Sequence, residues 1–289
     1  MKTIRLSRWL VGMAIASTLT LSCSNRLRNY TQITLAPQAD TELDLETIEQ
    51  TEAILEERLT NLEIETAEII SEADSSLIRL RLPAEVDALA IADVFADTGQ
   101  LSLRRQKPET EEDLAKNIEA LQRLLVEQDT LKQTDNLEDA EALQSQIDQT
   151  RAEIVELYEP SELTGDLVSD AQAVLMSGFN TWEITVWFNE EGTKRFTEKT
   201  KAIAGTGRTI GVFLDDVLLS TPVVDVDYAQ TGIPDGKAVI SGNFTAEAAK
   251  ALEAQLKSGA LPVALKTVDI EVVPAEEVEL PGETVDGEG

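Results

Sequence analysis

Few residues in this sequence of 289 amino acids could carry out chemistry, and they do not form a catalytic set. The chain has no histidine, which removes the usual general base, zinc ligand and triad member. Its one cysteine, Cys23, lies near the N-terminus. Aspartates are frequent between Asp215 and Asp235, but they lack the regular spacing of a calcium-binding loop. We therefore expect no enzymatic activity, no cofactor and no bound metal.

Composition and net charge narrow the range of partners. Apolar residues make up 42% of the chain, which is typical of a globular protein. The chain has 24 lysine and arginine residues against 54 aspartate and glutamate residues, so its formal net charge is −30. Nucleic acids and anionic surfaces would repel the body of such a protein. We therefore expect no nucleic acid partner.

The N-terminal segment has the pattern of a secretory signal that ends at Cys23. Three basic residues are followed by an apolar run over residues 9–21, and Ser22 then precedes the cysteine. A small residue directly before cysteine resembles a bacterial lipobox, in which the cysteine becomes the acylated first residue after cleavage. An uncleaved short anchor and a plain secretory peptide with an incidental thiol are the alternatives. We expect a signal peptide over 1–22, lipidation of Cys23 and a tether over 23–30.

Residues 31–107 alternate between strand and helix patterns. The helix that begins near Asp44 carries Leu55 and Leu59 on its apolar face, and we place Arg58 on its solvated side. Pro83 is expected to open a second helix. The order is β-α-β-β-α-β, which predicts a ferredoxin-like unit. Its strands are expected over 32–35, 63–70, 77–82 and 101–105.

Residues 108–159 form a charged segment without glycine. The second half of the segment carries a heptad seam, and in the first half of the segment Gln128 and Lys132 interrupt this seam. The pattern predicts a coiled-coil-like helical hairpin, serving either as a spacer arm packed on itself or as an arm that binds a partner. The seam residues are Ala140, Leu143, Ile147, Thr150, Ile154 and Leu157.

Residues 160–268 predict a second α+β unit. A strand over 182–188 alternates apolar residues with Glu183, Thr185 and Trp187, which point to the opposite face. Asn189 and Thr245 are candidate N-caps of two helices. A tight hairpin is expected around the Asp215-Asp216 pair.

Six landmarks in this second unit are similar, in order, to those of the first periplasmic domain of the SecD family of protein-export membrane proteins. They lie at 163–166, 186–192, 212–217, 220–223, 240–245 and 258–262. The resemblance covers 160–268 strongly and 31–106 more loosely. It departs from the family at Asp215-Asp216, where an Asp-Gly pair is more usual, and in the helical hairpin.

The sequence patterns divide the chain, and the resemblance implies a function. An α+β protein is expected, with a ferredoxin-like unit over 31–107, the hairpin over 108–159, a head-like unit over 160–268 and an acidic disordered tail over 269–289. It implies a membrane-tethered periplasmic accessory protein without enzymatic activity, which binds translocating polypeptide or the Sec translocon. The alternative is a structural or adaptor envelope lipoprotein that keeps this fold without the export role.

Overall fold

The computed structural model describes residues 29–39, 43–72, 76–134, 136–161, 163–178 and 181–274. The expected signal peptide, Cys23 and most of the tether lie outside these ranges, as do residues 275–289. Among the described residues, no helix is both long and apolar enough to cross a bilayer. The strands are β1 (Asn29–Pro37), β2 (Glu68–Glu72), β3 (Leu77–Pro83), β4 (Leu101–Arg105), β5 (Val168–Leu175), β6 (Trp182–Phe188), β7 (Ile210–Leu214), β8 (Val217–Ser220), β9 (Lys237–Phe244) and β10 (Leu265–Pro274). The helices are α1 (Leu45–Asn61), α2 (Ala88–Ala96), α3 (Glu111–Gln133), α4 (Leu137–Glu156), α5 (Glu190–Ile203) and α6 (Ala246–Ser258).

The base unit consists of β1, α1, β2, β3, α2 and β10. Its four antiparallel strands lie in the order β10-β1-β3-β2, which is the order of a ferredoxin-like sheet. The apolar side chains of α1 and α2 pack on one face of this sheet with Ile33, Leu80 and Leu265. The α+β class and the ferredoxin-like pattern are confirmed, but the fourth strand comes from the far end of the chain.

Two assignments made from the sequence are therefore wrong. The strand Leu101–Arg105 does not close the base sheet, because β4 pairs with β7 and buries Leu101 and Leu103 in another core. The expected disordered tail does not begin at 269, because β10 continues to Pro274 and pairs with β1 along its whole length. The apolar alternation Val268, Ile270, Val272 is the strand pattern within that acidic segment.

Two boundaries in the base unit also differ from the expectation. The second strand begins at Glu68, because residues 62–66 form turns after α1. The second helix begins at Ala88, where the Asp87 side chain accepts a hydrogen bond from the Ala90 N–H. Pro83 instead ends β3. A side-chain cap thus sets this helix start, as at α1, where Asp44 accepts from the Thr47 N–H.

The inserted unit, which comprises the described residues from 101 to 264, enters between α2 and β10. It contains two three-stranded antiparallel sheets, β4-β7-β8 and β5-β6-β9. Both sheets turn apolar side chains to a shared core that α5 and α6 complete, and this core includes Leu103, Ile184, Phe196, Val212 and Leu252. Asn189 and Thr245 cap the two helices as predicted, accepting from the N–H groups of Gly192 and Ala248.

Helices α3 and α4 form a hairpin that extends from the inserted unit. The predicted seam residues Ala140, Ile147 and Ile154 are buried between the two arms. Gln128 is also buried, donating to the Ala140 carbonyl at 3.1 Å and to Gln144 at 3.0 Å. The polar interruption is thus a hydrogen-bonded layer between the arms.

The root of the hairpin is fixed to the sheet β4-β7-β8. Leu114 and Ile154 pack with Tyr158 and Phe213 in a separate apolar cluster. The rings of Tyr158 and Phe213 meet edge to face, with centroids 5.0 Å apart. Because the root packs on part of the outer face of this sheet, packed side chains hold the arm in addition to its two chain connections.

Candidate functional site

A buried arginine joins the base unit to the inserted unit. Arg58 on α1 is fully buried, so its expected position on the solvated side is wrong. Its guanidinium donates to the carbonyls of Asp97 and Thr98 at 2.7 Å, and also to the Val94 carbonyl at the end of α2. It also donates to Ser258 and the Gly259 carbonyl at the end of α6, each at 3.3 Å. One side chain therefore links three helices, α1, α2 and α6, and both segments of chain that connect the base unit to the inserted unit.

The surroundings of Arg58 explain how a guanidinium can be buried there. Its acceptors lie at the C-terminal ends of α2 and α6, where helix dipoles favour a cation. Burial lowers the Arg58 pKa to about 10, while the charges of Asp215 and Asp97 act in the opposite direction. Burial also raises the Asp97 pKa to about 6, with further contributions from Asp93 and Asp215 that Arg58 opposes. Arg58 thus stays charged near neutral pH.

The inserted unit binds the connection between α2 and β4 from the other side, through Asp215. Its carboxylate accepts from the backbone N–H groups of Gly99 and Gln100 at 2.8 and 2.9 Å, and from the Thr98 hydroxyl. Asp215 and Asp216 both have positive φ, 49° and 64°, as in a type I′ turn, which settles the turn type at this departure from the family pattern. The crossing strands are also linked directly, because the Leu261 N–H donates to the Thr98 carbonyl.

Gly99 is required where these groups converge. Its φ is +72°, and a Cβ atom there would lie 2.9 Å from an Arg58 guanidinium nitrogen. We call the contacts of Arg58 and Asp215 with residues 97–100 the joint. The sequence did not lead us to predict it, although position 58 lies three residues after Leu55 and four before Leu62, on the apolar side of α1. The spacing could have shown burial, but it could not have shown the acceptors, which lie about 40 and 200 residues away in the chain.

The outer face of the sheet β5-β6-β9 is a second candidate site, and we call it the open face. Residues directly opposite each other in antiparallel strands share a face, and Ile184 and Val186 fill the core on the other side. Val174 and Val239 are 43% and 39% exposed there, beside a half-buried Trp187. The open face consists of the rows Val174–Glu183–Ser241, Gln172–Thr185–Val239 and Asp170–Trp187–Lys237.

The two edges of this sheet differ. On β5, the Ala171 N–H donates to the Asp170 carboxylate and the Ala173 N–H to the Glu253 carboxylate, so side chains block that edge. The other edge, β9, lies beside β8, yet no backbone pairing joins these two strands. The open face therefore carries exposed apolar side chains among polar ones, and the β9 edge beside β8 is not paired with another strand.

The aspartates noted in the sequence have structural roles. Asp215 holds the joint, Asp216 pairs with Arg104, and Asp225 caps a short 3₁₀ turn by accepting from the Asp227 N–H. In the part of the chain that the structure describes, no three Asp, Glu, Cys or His side chains are grouped so as to hold a metal ion. The expected lipidation residue, Cys23, lies outside the described residues.

Comparison with known proteins shows which proteins this chain is similar to. The family model for the SecDF P1 head subdomain matches residues 140–263. The protein translocase subunit SecD of a Synechocystis species is 33% identical over 256 residues, covering 86% of this chain and 54% of that protein. SecD of Prochlorococcus marinus is 32% identical over 279 residues, covering 86% and 56%. The chain thus spans about half the length of the curated relatives it matches.

Two solved structures share the fold. A crystal structure of SecDF in its super-membrane-facing form matches with a TM-score of 0.61 and 24% identity, covering 84% of this chain and 30% of that one. A structure of SecDF, described as a membrane component that enhances protein export, matches with a TM-score of 0.59 and 24% identity. It covers 84% of this chain and all of that one.

Proposed function

The chain belongs to the SecD family, in which it corresponds to the first periplasmic domain, and on this basis we propose that it is an accessory protein of export. It works without catalysis, binding translocating polypeptide or a subunit of the Sec translocon. Sequence similarity to SecD translocase subunits supports the export role. The open face supports the binding role, because exposed apolar side chains lie there on the same sheet as the β9 edge, which has no paired strand among the described residues.

The chemistry of the open face fits weak binding of unfolded chains. Apolar side chains on a sheet contact many sequences with little selectivity, and an adjacent strand edge can bond any backbone. An export factor has to release each passing segment, so fast dissociation is an advantage. The net charge of −30 favours segments that carry lysine and arginine, and this part of the attraction should weaken as salt screens it.

We expect a double substitution on the open face to weaken binding of an unfolded polypeptide. Val174→Asp with Val239→Asp places two carboxylates among the apolar contacts, and we expect the dissociation constant to rise about five- to tenfold. The measurement is fluorescence anisotropy with a labelled, permanently unfolded polypeptide rich in apolar, lysine and arginine residues. Val126→Asp with Leu137→Asp is the matched control, because both side chains are exposed on the hairpin and the added charge is the same. Equal weakening by the two pairs would remove the open face from the proposal.

The structural or adaptor role is the second candidate, and crosslinking in cells separates it from export. Photo-crosslinkers at Val239, and near Ser220 and Asn243 on β8 and β9, would capture a translocating chain or a Sec subunit during export. Capture of neither, with the folded protein present at its normal level, would favour the adaptor role.

We further propose that a lipid on Cys23 anchors the protein at the periplasmic side of a membrane. The leader pattern ending at Ser22-Cys23 supports it. We expect mass spectrometry of the native protein to find Cys23 acylated at the mature N-terminus, and Cys23→Ser to release the protein or to stall its precursor. A native chain that starts elsewhere, or an unmodified Cys23, would contradict this anchor.

A further inference from the structure

An acidic groove lies on the base unit, away from the open face and the joint. It measures about 500 Å³ and runs between the turn after α1 and the turn after β3. Half-buried apolar side chains that belong to the base core form its floor, among them Leu62, Ile64 and Val86. Glu63, Glu65 and Glu85 stand on its rim. The groove thus combines an apolar floor with carboxylates and has no basic residue in its lining.

The rim carboxylates are not used within the described chain. The side-chain carboxylates of Glu63, Glu65 and Glu85 are exposed, and no ion pair or side-chain hydrogen bond joins any of them to another described residue. The backbone of Glu63 has a φ of +59°, an uncommon conformation for a residue other than glycine. Three carboxylates held around an apolar floor are complementary to a basic segment that carries an apolar side chain.

The groove lies where both ends of the described chain emerge. Pro83, part of its lining, pairs with Tyr30 at the start of β1, and Asn29 pairs with Pro274 at the end of β10. Two segments of the chain therefore begin next to the groove. Residues 24–28 read Ser-Asn-Arg-Leu-Arg, with two positive charges around one leucine, whereas residues 275–289 contain six carboxylates and no basic residue. The rim carboxylates attract the basic residues 24–28 and repel the acidic residues 275–289.

We propose that Arg26, Leu27 and Arg28 bind in this groove, with Leu27 on the apolar floor and the arginines near the rim carboxylates. Leu27 is two residues from Asn29, so it can reach roughly 7 Å from the start of β1. Attachment through the chain gives the segment a high effective concentration at the groove, which lets weak contacts suffice. The base unit is then held close to residue 23 in a defined orientation, instead of hanging on a free linker.

A crosslinking experiment on the full-length chain tests the proposal. Cys23→Ser removes the native thiol, and Leu27→Cys with Val86→Cys provides a pair for a short bis-maleimide reagent. We expect its intramolecular crosslink to exceed that of a second pair, Leu27→Cys with Val239→Cys, by at least about fivefold. Neutralising the rim with Glu63→Gln, Glu65→Gln and Glu85→Gln should lower the yield about fivefold.

A matched control and a charge exchange complete the test. Glu119→Gln, Glu127→Gln and Glu141→Gln on the hairpin change the net charge equally and should leave the yield unchanged. Arg26→Glu with Arg28→Glu should lower it, and adding Glu63→Lys with Glu65→Lys should restore it. Equal yields from the two cysteine pairs, or equal effects of the rim and hairpin neutralisations, would overturn the proposal. Basic segments of other proteins, or lipid headgroups holding the arginines, would be the inference in that case.

Discussion

A chain that ends at Val268 should lose the fold of its base unit. This truncation removes six of the nine residue pairs between β1 and β10, together with the partly buried Ile270. At roughly 1 kcal/mol for each net hydrogen bond, the loss is about 3–6 kcal/mol before apolar burial is counted. Since whole domains are stable by about 5–15 kcal/mol, we expect the base sheet to open. Hydrogen exchange in β1 and β3 should become fast.

The same truncation separates the base unit from the inserted unit. Trp182 and Trp187 lie in the inserted unit, so their fluorescence should still show a cooperative transition in urea. A chain that ends at Pro274 is the control, because it lacks residues 275–289 but keeps β10, and it should retain slow exchange in β1. Slow exchange in both truncated chains would mean that β10 does not close the base sheet.

Replacing Arg58 by methionine should uncouple the two units. Methionine fills part of the volume but leaves the carbonyls of Val94 and Asp97 without their donor, and it removes one donor each from the carbonyls of Thr98 and Gly259. Each buried unsatisfied group costs about 1–3 kcal/mol, so we expect a total destabilisation of roughly 3–5 kcal/mol. Urea unfolding followed by hydrogen exchange should show a single transition in the wild type and two separate transitions in the variant.

Lysine at position 58 is the informative comparison. Arg58→Lys keeps the charge but offers three donors on one nitrogen, so it cannot bond acceptors on α2 and α6 with the geometry of a guanidinium. We expect an intermediate loss of stability. A reversal of charge on the solvated side of α1, Glu56→Lys, should have little effect on the joint. If Arg58→Met unfolded at the wild-type midpoint with one transition, the arginine would not couple the units.

Many local features of this protein were predictable from short sequence patterns. Asp44, Asn189 and Thr245 cap helices at the positions that their residue types indicate, because a cap depends on backbone groups two or three residues away. The hairpin helices and the alternation of β6, with Trp187 on the face opposite the core, followed from periodicity. These features depend on neighbours within one or two turns or pleats.

Strand partners and the joint depended on contacts between distant segments. Leu101–Arg105 and Leu265–Pro274 are both apolar, alternating strands, and either could follow α2 in a ferredoxin-like order. Their partners are fixed by which core accepts Leu101 and Leu103 and which accepts Leu265, and this requires both units to be packed. Arg58 is charged, so composition places it in solvent, whereas helix ends far along the chain supply the acceptors that allow it to be buried. Short-range patterns therefore determined where helices and strands form, and packing between segments as far apart in the chain as Asn29 and Pro274 determined which of them meet.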